Sequence, residues 1–294
     1  MNLFENLKRI FKTGDSLIKL IFINCAVFLA LYLISLAFLL FNIYASTLTT
    51  YLAVPSDLNI LPFRFWTPFT YMFFHQDVMH ILFNMLALYW FGKLFLMFFS
   101  EKQLVGLYLL GGLLGSFFYL AAYNIFPFYA PLVHSSFLLG ASGSIMAILL
   151  AVGLRSPNME MQMLLIGRIK LIYIAIFYVL ISLFGITSNN GGGQLAHLGG
   201  ALAGYIFVVS LRRGTDLTKG FNLILDSISN LFKPRRLKVK KTGYSSRKMS
   251  DADYNANKER KNAEIDRILD KIKTSGYGSL SADEKKRLFE QGNK

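Results

Sequence analysis

Six apolar stretches, separated by short polar or basic connections, fill the first 212 residues of this chain. Three segments, 20–56, 103–154 and 171–211, contain no Asp, Glu, Lys or Arg. Uncharged apolar runs of about 18 residues or more are long enough to cross the hydrocarbon of a bilayer. Backbone groups in lipid need internal partners, so such runs become helices or closed barrel strands. These lack the period-2 alternation of a barrel strand. The pattern therefore predicts six membrane helices, at 20–44, 78–99, 104–125, 141–154, 171–187 and 194–211. The first run, from Leu20 to Tyr44, is too long for a signal-peptide core and no small-residue cleavage site follows, so it is expected to persist as a helix.

The flanks read differently. Leu3, Phe4, Leu7, Ile10 and Phe11 have helical spacing among basic neighbours, and Leu217, Phe221, Ile224, Leu225, Ile228, Leu231 and Phe232 repeat the pattern. Six cations follow within the nine residues 233–241. An amphipathic helix leading into a polybasic run suits an anionic inner leaflet. Nucleic-acid binding is the weaker reading, because the membrane is a few residues away and no recognition motif follows. Residues 242–257 read as a linker. Ile265, Ile268, Leu269 and Ile272 mark a short helix, Gly276-Tyr-Gly278 breaks it, and Ser281-Ala-Asp-Glu284 is a capping box for another. The expected organisation is an amphipathic cytoplasmic segment (1–19), a six-helix membrane domain (20–212), a basic amphipathic and linker segment (213–257) and a small cytoplasmic helical hairpin (258–294), the last an accessory or partner-docking tail.

Composition sharpens this picture. The 294 residues are 54% hydrophobic and only 16% charged, against about 25% charged in ordinary soluble domains. Residues 1–212 hold 6 acidic and 11 basic residues, and residues 213–294 hold 11 and 20. A simple soluble globule, a disordered chain and a disulfide scaffold are excluded, and the single cysteine, Cys25, cannot form an internal disulfide. Basic residues collect at the N-terminus (Lys8, Arg9, Lys12, Lys19), between the fourth and fifth helices (Arg155, Arg168, Lys170) and after the sixth (Arg212, Arg213). The alternate connections are almost uncharged, which places both termini in the cytoplasm. A bacterial inner membrane is the expected home.

Polar groups inside spans are functional candidates, because burying them costs free energy. His197 lies in Gln194-Leu-Ala-His197-Leu-Gly-Gly200, and His80 lies one helical turn before Asn84 on the same face. Gly140-Ala-Ser142-Gly143 opens the fourth helix. Ser142 stands 13 residues before Arg155 and His197 stands 15 before Arg212. At about 1.5 Å per residue, both lie roughly 20 Å from the inner boundary and so well inside the outer one. A neutral imidazole at that depth can take the proton of a serine hydroxyl. The Ser142 N–H, free in the first helical turn, and the His80 and Asn84 side chains could hold a developing oxyanion. No carboxylate falls within a span apart from Glu101 at an inner end, so the pair is a dyad. The irregular segment 126–140 implies a water-accessible cavity opening outward. Gly200 and Gly204 form a close-packing face. No metal or cofactor is implied, since no carboxylate or thiolate clusters with the outer-half histidines.

These motifs resemble the rhomboid family of intramembrane serine proteases over about residues 60–212. His80-Ile-Leu-Phe-Asn84 is similar to the family's oxyanion motif, Gly140-Ala-Ser142-Gly143 to its GxSG motif, and Ala196-His197-Leu-Gly-Gly200 to its AHxxG motif with the following GxxxG at Gly200 and Gly204. The resemblance implies a six-helix rhomboid-like bundle in which Ser142 is the nucleophile, His197 the base, and His80 and Asn84 the oxyanion donors. It implies single-span membrane proteins as substrates, cut near the outer face. It also implies a partly membrane-embedded first outer loop (45–77), with Phe63-Arg-Phe-Trp66 loosely similar to the family's Trp-Arg element and His75 structural. Two positions depart: Met146 stands where relatives often have an aromatic ring stacking on the histidine, and Leu96 where many have a structural Glu.

Other polar residues have plainer readings. Ser144 packs or caps, His134 is a solvated loop residue and Asp77 is the second helix's N-cap. Two non-protease functions compete. A catalytically silent adaptor binding membrane helices would not need Ser142 and His197. A transporter would usually need charged midplane residues or repeated halves, and neither is present.

Overall fold

The computed structural model describes residues 3–42, 50–163, 167–232 and 251–292. The chain divides into two compact units, Met1–Lys233 and Pro234–Lys294. The first contains α1 (Leu3–Thr13), α2 (Ser16–Leu40), α3 (Val78–Leu96), α4 (Glu101–Ile125), α5 (Ser142–Arg155), α6 (Leu171–Phe184), α7 (Gly191–Arg212) and α8 (Lys219–Phe232). The second contains α9 (Asp251–Ser275) and α10 (Ala282–Gly292). Each of the six apolar runs carries a helix at the expected place. Four of them, α2, α3, α4 and α7, are long and apolar enough to cross a membrane, whereas α5 and α6 are shorter apolar helices of 14 residues each. Fourteen residues rise only about 21 Å.

Helix starts follow local chemistry. The Asp15 carboxylate accepts from the Ile18 N–H, Asp77 accepts from the His80 N–H, and Ser100 with Gln103 closes a reciprocal capping box. The start of α2 is cross-linked to α3 and α4. Lys93 Nζ lies 3.0 Å from Asp15 Oδ2, and the Ser16 N–H and hydroxyl both donate to Glu101 Oε2 at 2.8 Å. The acid at the start of α4 therefore ties α2 to α4.

The core is built on α4, α5 and α7, with α3 and α6 against α5, and α2 against α3 and α4. Lipid tails are as apolar as leucine, so helices in a membrane associate by close van der Waals packing rather than by expelling water. Glycine makes that packing possible here. A Cβ on Gly200 would overlap the Gly143 carbonyl oxygen, and one on Gly204 the Ala147 carbonyl oxygen. A Cβ on Gly115 would come 2.9 Å from the Ala196 carbonyl. Backbone thus touches backbone across α4, α5 and α7. A second tie is polar. Buried Asn24 donates to the Leu20 carbonyl and to the Tyr108 hydroxyl, which itself donates to the Met72 carbonyl at 2.9 Å. On the outside, Leu40 and Phe184 are 75% and 80% exposed, an arrangement suited to lipid and costly in water.

The connections from α2 to α3 and from α4 to α5 are ordered around a small clasp. β1 (Val54–Pro55) pairs antiparallel with β2 (Phe137–Leu138). Beside it the Ser56 hydroxyl donates to the Val133 and Ser136 carbonyls at 2.7 and 3.0 Å, and Asn124 donates to the Ser56 carbonyl. His134 Nδ1 lies 2.8 Å from Asp57 Oδ2. His134 is indeed exposed, as the sequence suggested, but it is paired rather than merely solvated. The Asn59 backbone N–H, and then His134, hold the Asp57 carboxyl below the usual carboxylate range. Within Phe63-Arg-Phe-Trp66, Arg64 donates to the Thr50 carbonyl and Trp66 to the Tyr51 carbonyl, so this element braces residues 50 and 51. Residues 43–49 of the first outer loop lie outside the described residues.

The structure adds one element and corrects one expectation. The connection between α5 and α6 is a β-hairpin, β3 (Glu160–Met163) with β4 (Gly167–Lys170). Its alternation of polar and apolar residues turns Met161 and Ile169 toward the core. Of the linker expected over 242–257, residues 242–250 lie outside the described residues, as does the polybasic run, and 251–257 already belong to α9. The capping box of α10 is present. Ser281 N–H donates to Glu284, and Glu284 N–H to the Ser281 hydroxyl at 3.2 Å. Lys271 reaches Glu284 at 3.0 Å, and Arg287 pairs with Glu264.

Candidate active site

Ser142 is the first residue of α5. The first bond of that helix runs from Ile145 N–H to the Ala141 carbonyl, so the N–H groups of Ser142, Gly143 and Ser144 lie ahead of the helical ladder. The approach to the serine is fixed from behind. Gly140 N–H donates to the Tyr71 carbonyl at 2.9 Å, with the Gly140 φ at +112°. A Cβ there would sit 2.8 Å from His80 Nε2 and 3.9 Å from Ser142 Oγ. Glycine is required on both counts, backbone conformation and space. Its lack of a side chain brings the His80 ring next to the serine.

His197 lies nearly two turns into α7, immediately after Ala196, whose carbonyl faces Gly143. Asn84 lies one turn after His80 on α3 and anchors its own amide by donating to the His80 carbonyl at 2.8 Å. Asn84, Ser142 and His197 then line one cavity of about 220 Å³. Its remaining walls are apolar: Phe83 and Phe91 from α3, Met146 and Leu149 from α5, and Tyr178 from α6. His75 is buried with its ring edge-to-face against His80, centroids 5.1 Å apart. Ser144 is buried beside the nucleophile candidate and faces the packing surface under Gly111 rather than the cavity.

The four candidate chemical residues of the sequence are therefore brought together, and Gly200 and Gly204 do the close packing that sets α7 against α5. Chemically, the cavity offers a hydroxyl, an imidazole, a carboxamide and free helix N–H groups in an apolar enclosure. That set fits nucleophilic attack on a carbonyl with an anionic oxygen held by donors.

One residue escaped the sequence reading. Ser182 on α6 is buried, and its hydroxyl lies 3.2 Å from His197 Nδ1. Its signal was present: a hydroxyl within an apolar run, 12 residues after Lys170. At about 1.5 Å per residue that is some 18 Å, close to the depth of Ser142 and His197.

Comparisons with known proteins assign the chain to a family. A family model described as the Rhomboid domain matches residues 62–214, just over half of the chain. A second, described as a family of unknown function (DUF6576), matches residues 249–294. The chain is similar to the RHOMBOID-like protein 12, mitochondrial, of Arabidopsis thaliana, with 32% identity over 160 residues. That stretch covers 51% of this chain and 48% of the relative, so the chain spans about half the length of the relative it matches. A relative named mitochondrial lends no support to the expected bacterial inner membrane, whereas the domain and the long apolar helices mark an integral membrane protein. On the Rhomboid match and the motifs at residues 80–84, 140–143 and 196–204, the chain belongs to the rhomboid family.

Proposed function

We propose that this chain is an intramembrane serine endopeptidase that cuts single-span membrane proteins near the outer membrane face. The observation that carries the reading is the convergence of Ser142, His197 and Asn84 on one largely apolar cavity. Ser142 Oγ attacks the peptide carbonyl while His197 takes its proton. The Ser142 N–H, His80 and Asn84 hold the oxyanion. His197 returns the proton to the leaving amine, and water, activated by the same imidazole, hydrolyses the acyl-enzyme.

The supporting frame is a six-span arrangement in which α5 and α6 cross as short helices beside the four long ones. Both termini lie on the basic, cytoplasmic side. The basic segment after α8 rests on the anionic inner leaflet, and the C-terminal unit is a cytoplasmic accessory. No nucleic acid, metal or other cofactor takes part.

The test is labelling of the purified full chain in detergent with a fluorophosphonate–rhodamine probe. The wild type labels, and Ser142→Ala and His197→Ala do not. Folded wild type that fails to label contradicts the reading and favours the silent adaptor, whose function would survive Ser142→Ala.

A further inference from the structure

We propose that Ser182 is a positioning residue for the base, its hydroxyl accepting the Nδ1–H of His197 and so holding the tautomer whose Nε2 can take the proton of Ser142. The proposal rests on the protease reading and deepens it. A neutral imidazole has one N–H and one bare nitrogen, and the partner at one nitrogen decides which is which. For Nε2 to serve as base, Nδ1 must carry the hydrogen and that hydrogen needs an acceptor. Ser182 supplies it: the hydroxyl is 3.2 Å from Nδ1 and the side chain is 1% exposed.

Among the described residues, Ser182 is the hydrogen-bond partner of the ring. Position 146, one turn after Ser142 and lining the same cavity, is Met146, a flexible thioether with no fixed plane. Orientation therefore falls on Nδ1. A hydroxyl also suits this depth. A carboxylate would stabilise the imidazolium more strongly, but burying its charge inside a span is costly, whereas a serine costs little. Ser182 comes from α6, which packs on both α5 and α7, so the hydroxyl is held by the helix flanking the two that carry the dyad.

The proton count is simple. On attack, the Ser142 hydroxyl proton moves to His197 Nε2 as the new C–O bond forms. The Nδ1–H stays bonded to Ser182, which keeps its own proton. On collapse, the C–N bond breaks and the Nε2 proton leaves with the amine. Ser182 stabilises the charged ring between these steps without exchanging a proton.

The experiment uses the full chain in detergent and the fluorophosphonate–rhodamine probe, with kinact and KI measured separately per folded molecule. Ser182→Ala should lower kinact about tenfold, the effect of one lost hydrogen bond to a group that becomes charged, and leave KI unchanged. Ser182→Thr and Ser182→Val share a shape and differ only in the hydroxyl, so Thr should label faster than Val. Wild-type kinact in Ser182→Ala, a change confined to KI, or equal rates for Thr and Val would overturn the proposal. So would a faster Ser182→Ala, because the hydroxyl would then be donating to Nδ1 and holding the unproductive tautomer. Loss of labelling in the wild type itself would instead defeat the protease reading, a distinguishable result.

Discussion

Replacing Gly200 by alanine should disable the site through the backbone. The new Cβ would overlap the Gly143 carbonyl oxygen and stand 2.8 Å from its carbon and 3.2 Å from the Gly143 Cα. Carbon atoms in ordinary contact sit about 3.5–4.0 Å apart, so α7 has to retreat from α5 by about 1 Å. No side chain can swing aside, because the obstacle is main chain. Overpacking of this kind costs about 1–3 kcal/mol. His197 lies three residues away on the retreating helix, and Gly143 directly follows Ser142. A misplacement of about 1 Å between reacting groups is worth roughly 100-fold in rate. The assay is the fluorophosphonate labelling rate per folded molecule, with a melting curve in detergent. Gly200→Ala should melt lower and label about 100-fold more slowly. Gly220→Ala, where a Cβ meets open space on α8, is the control and should label as wild type. A Gly200→Ala protein that melts lower yet labels at the wild-type rate would refute the claim that this close approach sets the distance between nucleophile and base.

Two further predictions follow from named contacts. Asn84→Ala should slow acyl-enzyme formation about 100-fold, as expected for one lost oxyanion donor, while the melting point barely moves, because the Asn84 amide bonds only within its own helix; an unchanged rate would remove Asn84 from the oxyanion hole. The Asp57 carboxyl is held below its usual range, so its contribution to the β1–β2 clasp is complete above the unfolded value of about 3.9 and is lost as pH falls through the lower folded value. Exchange of the Ser56 amide should accelerate only below about pH 4 in the wild type, and already at neutral pH in Asp57→Asn; equal exchange in the two proteins at neutral pH would show that the Asp57 carboxylate does not hold the clasp.

How far the sequence could be read depended on the range of the signal. Apolar runs report themselves, so all six apolar helices were visible, and caps such as Asp77 and Ser281 are local. The site was legible because its residues repeat known spacings: Ser142 in Gly140–Gly143, His197 before Gly200, Asn84 one turn after His80. What failed was pairing over distance. β1 and β2 are two residues each, too short for any periodicity, and Asp57 meets His134 across 77 positions. The β3–β4 hairpin did carry alternation, but in only four residues a side. Residues 251–257, rich in Asp and Asn, lack an apolar stripe and so read as linker although they are helical. Ser182 was overlooked because a lone serine in a span usually bonds back to its own helix; only its contact with His197 sets it apart.

The central claim is that Ser142 and His197 act on the same carbonyl as nucleophile and base. A chloroisocoumarin tests this most directly, because a serine opens its ring and thereby exposes an electrophile that an adjacent nucleophile, here the base's imidazole, can capture. Full-length protein is treated, digested and analysed by mass spectrometry. The account predicts one adduct joining the peptide that contains Ser142 to the peptide that contains His197, and no adduct in Ser142→Ala. An adduct on Ser144 or Ser182, or an adduct on Ser142 joined to a histidine other than His197, would contradict it.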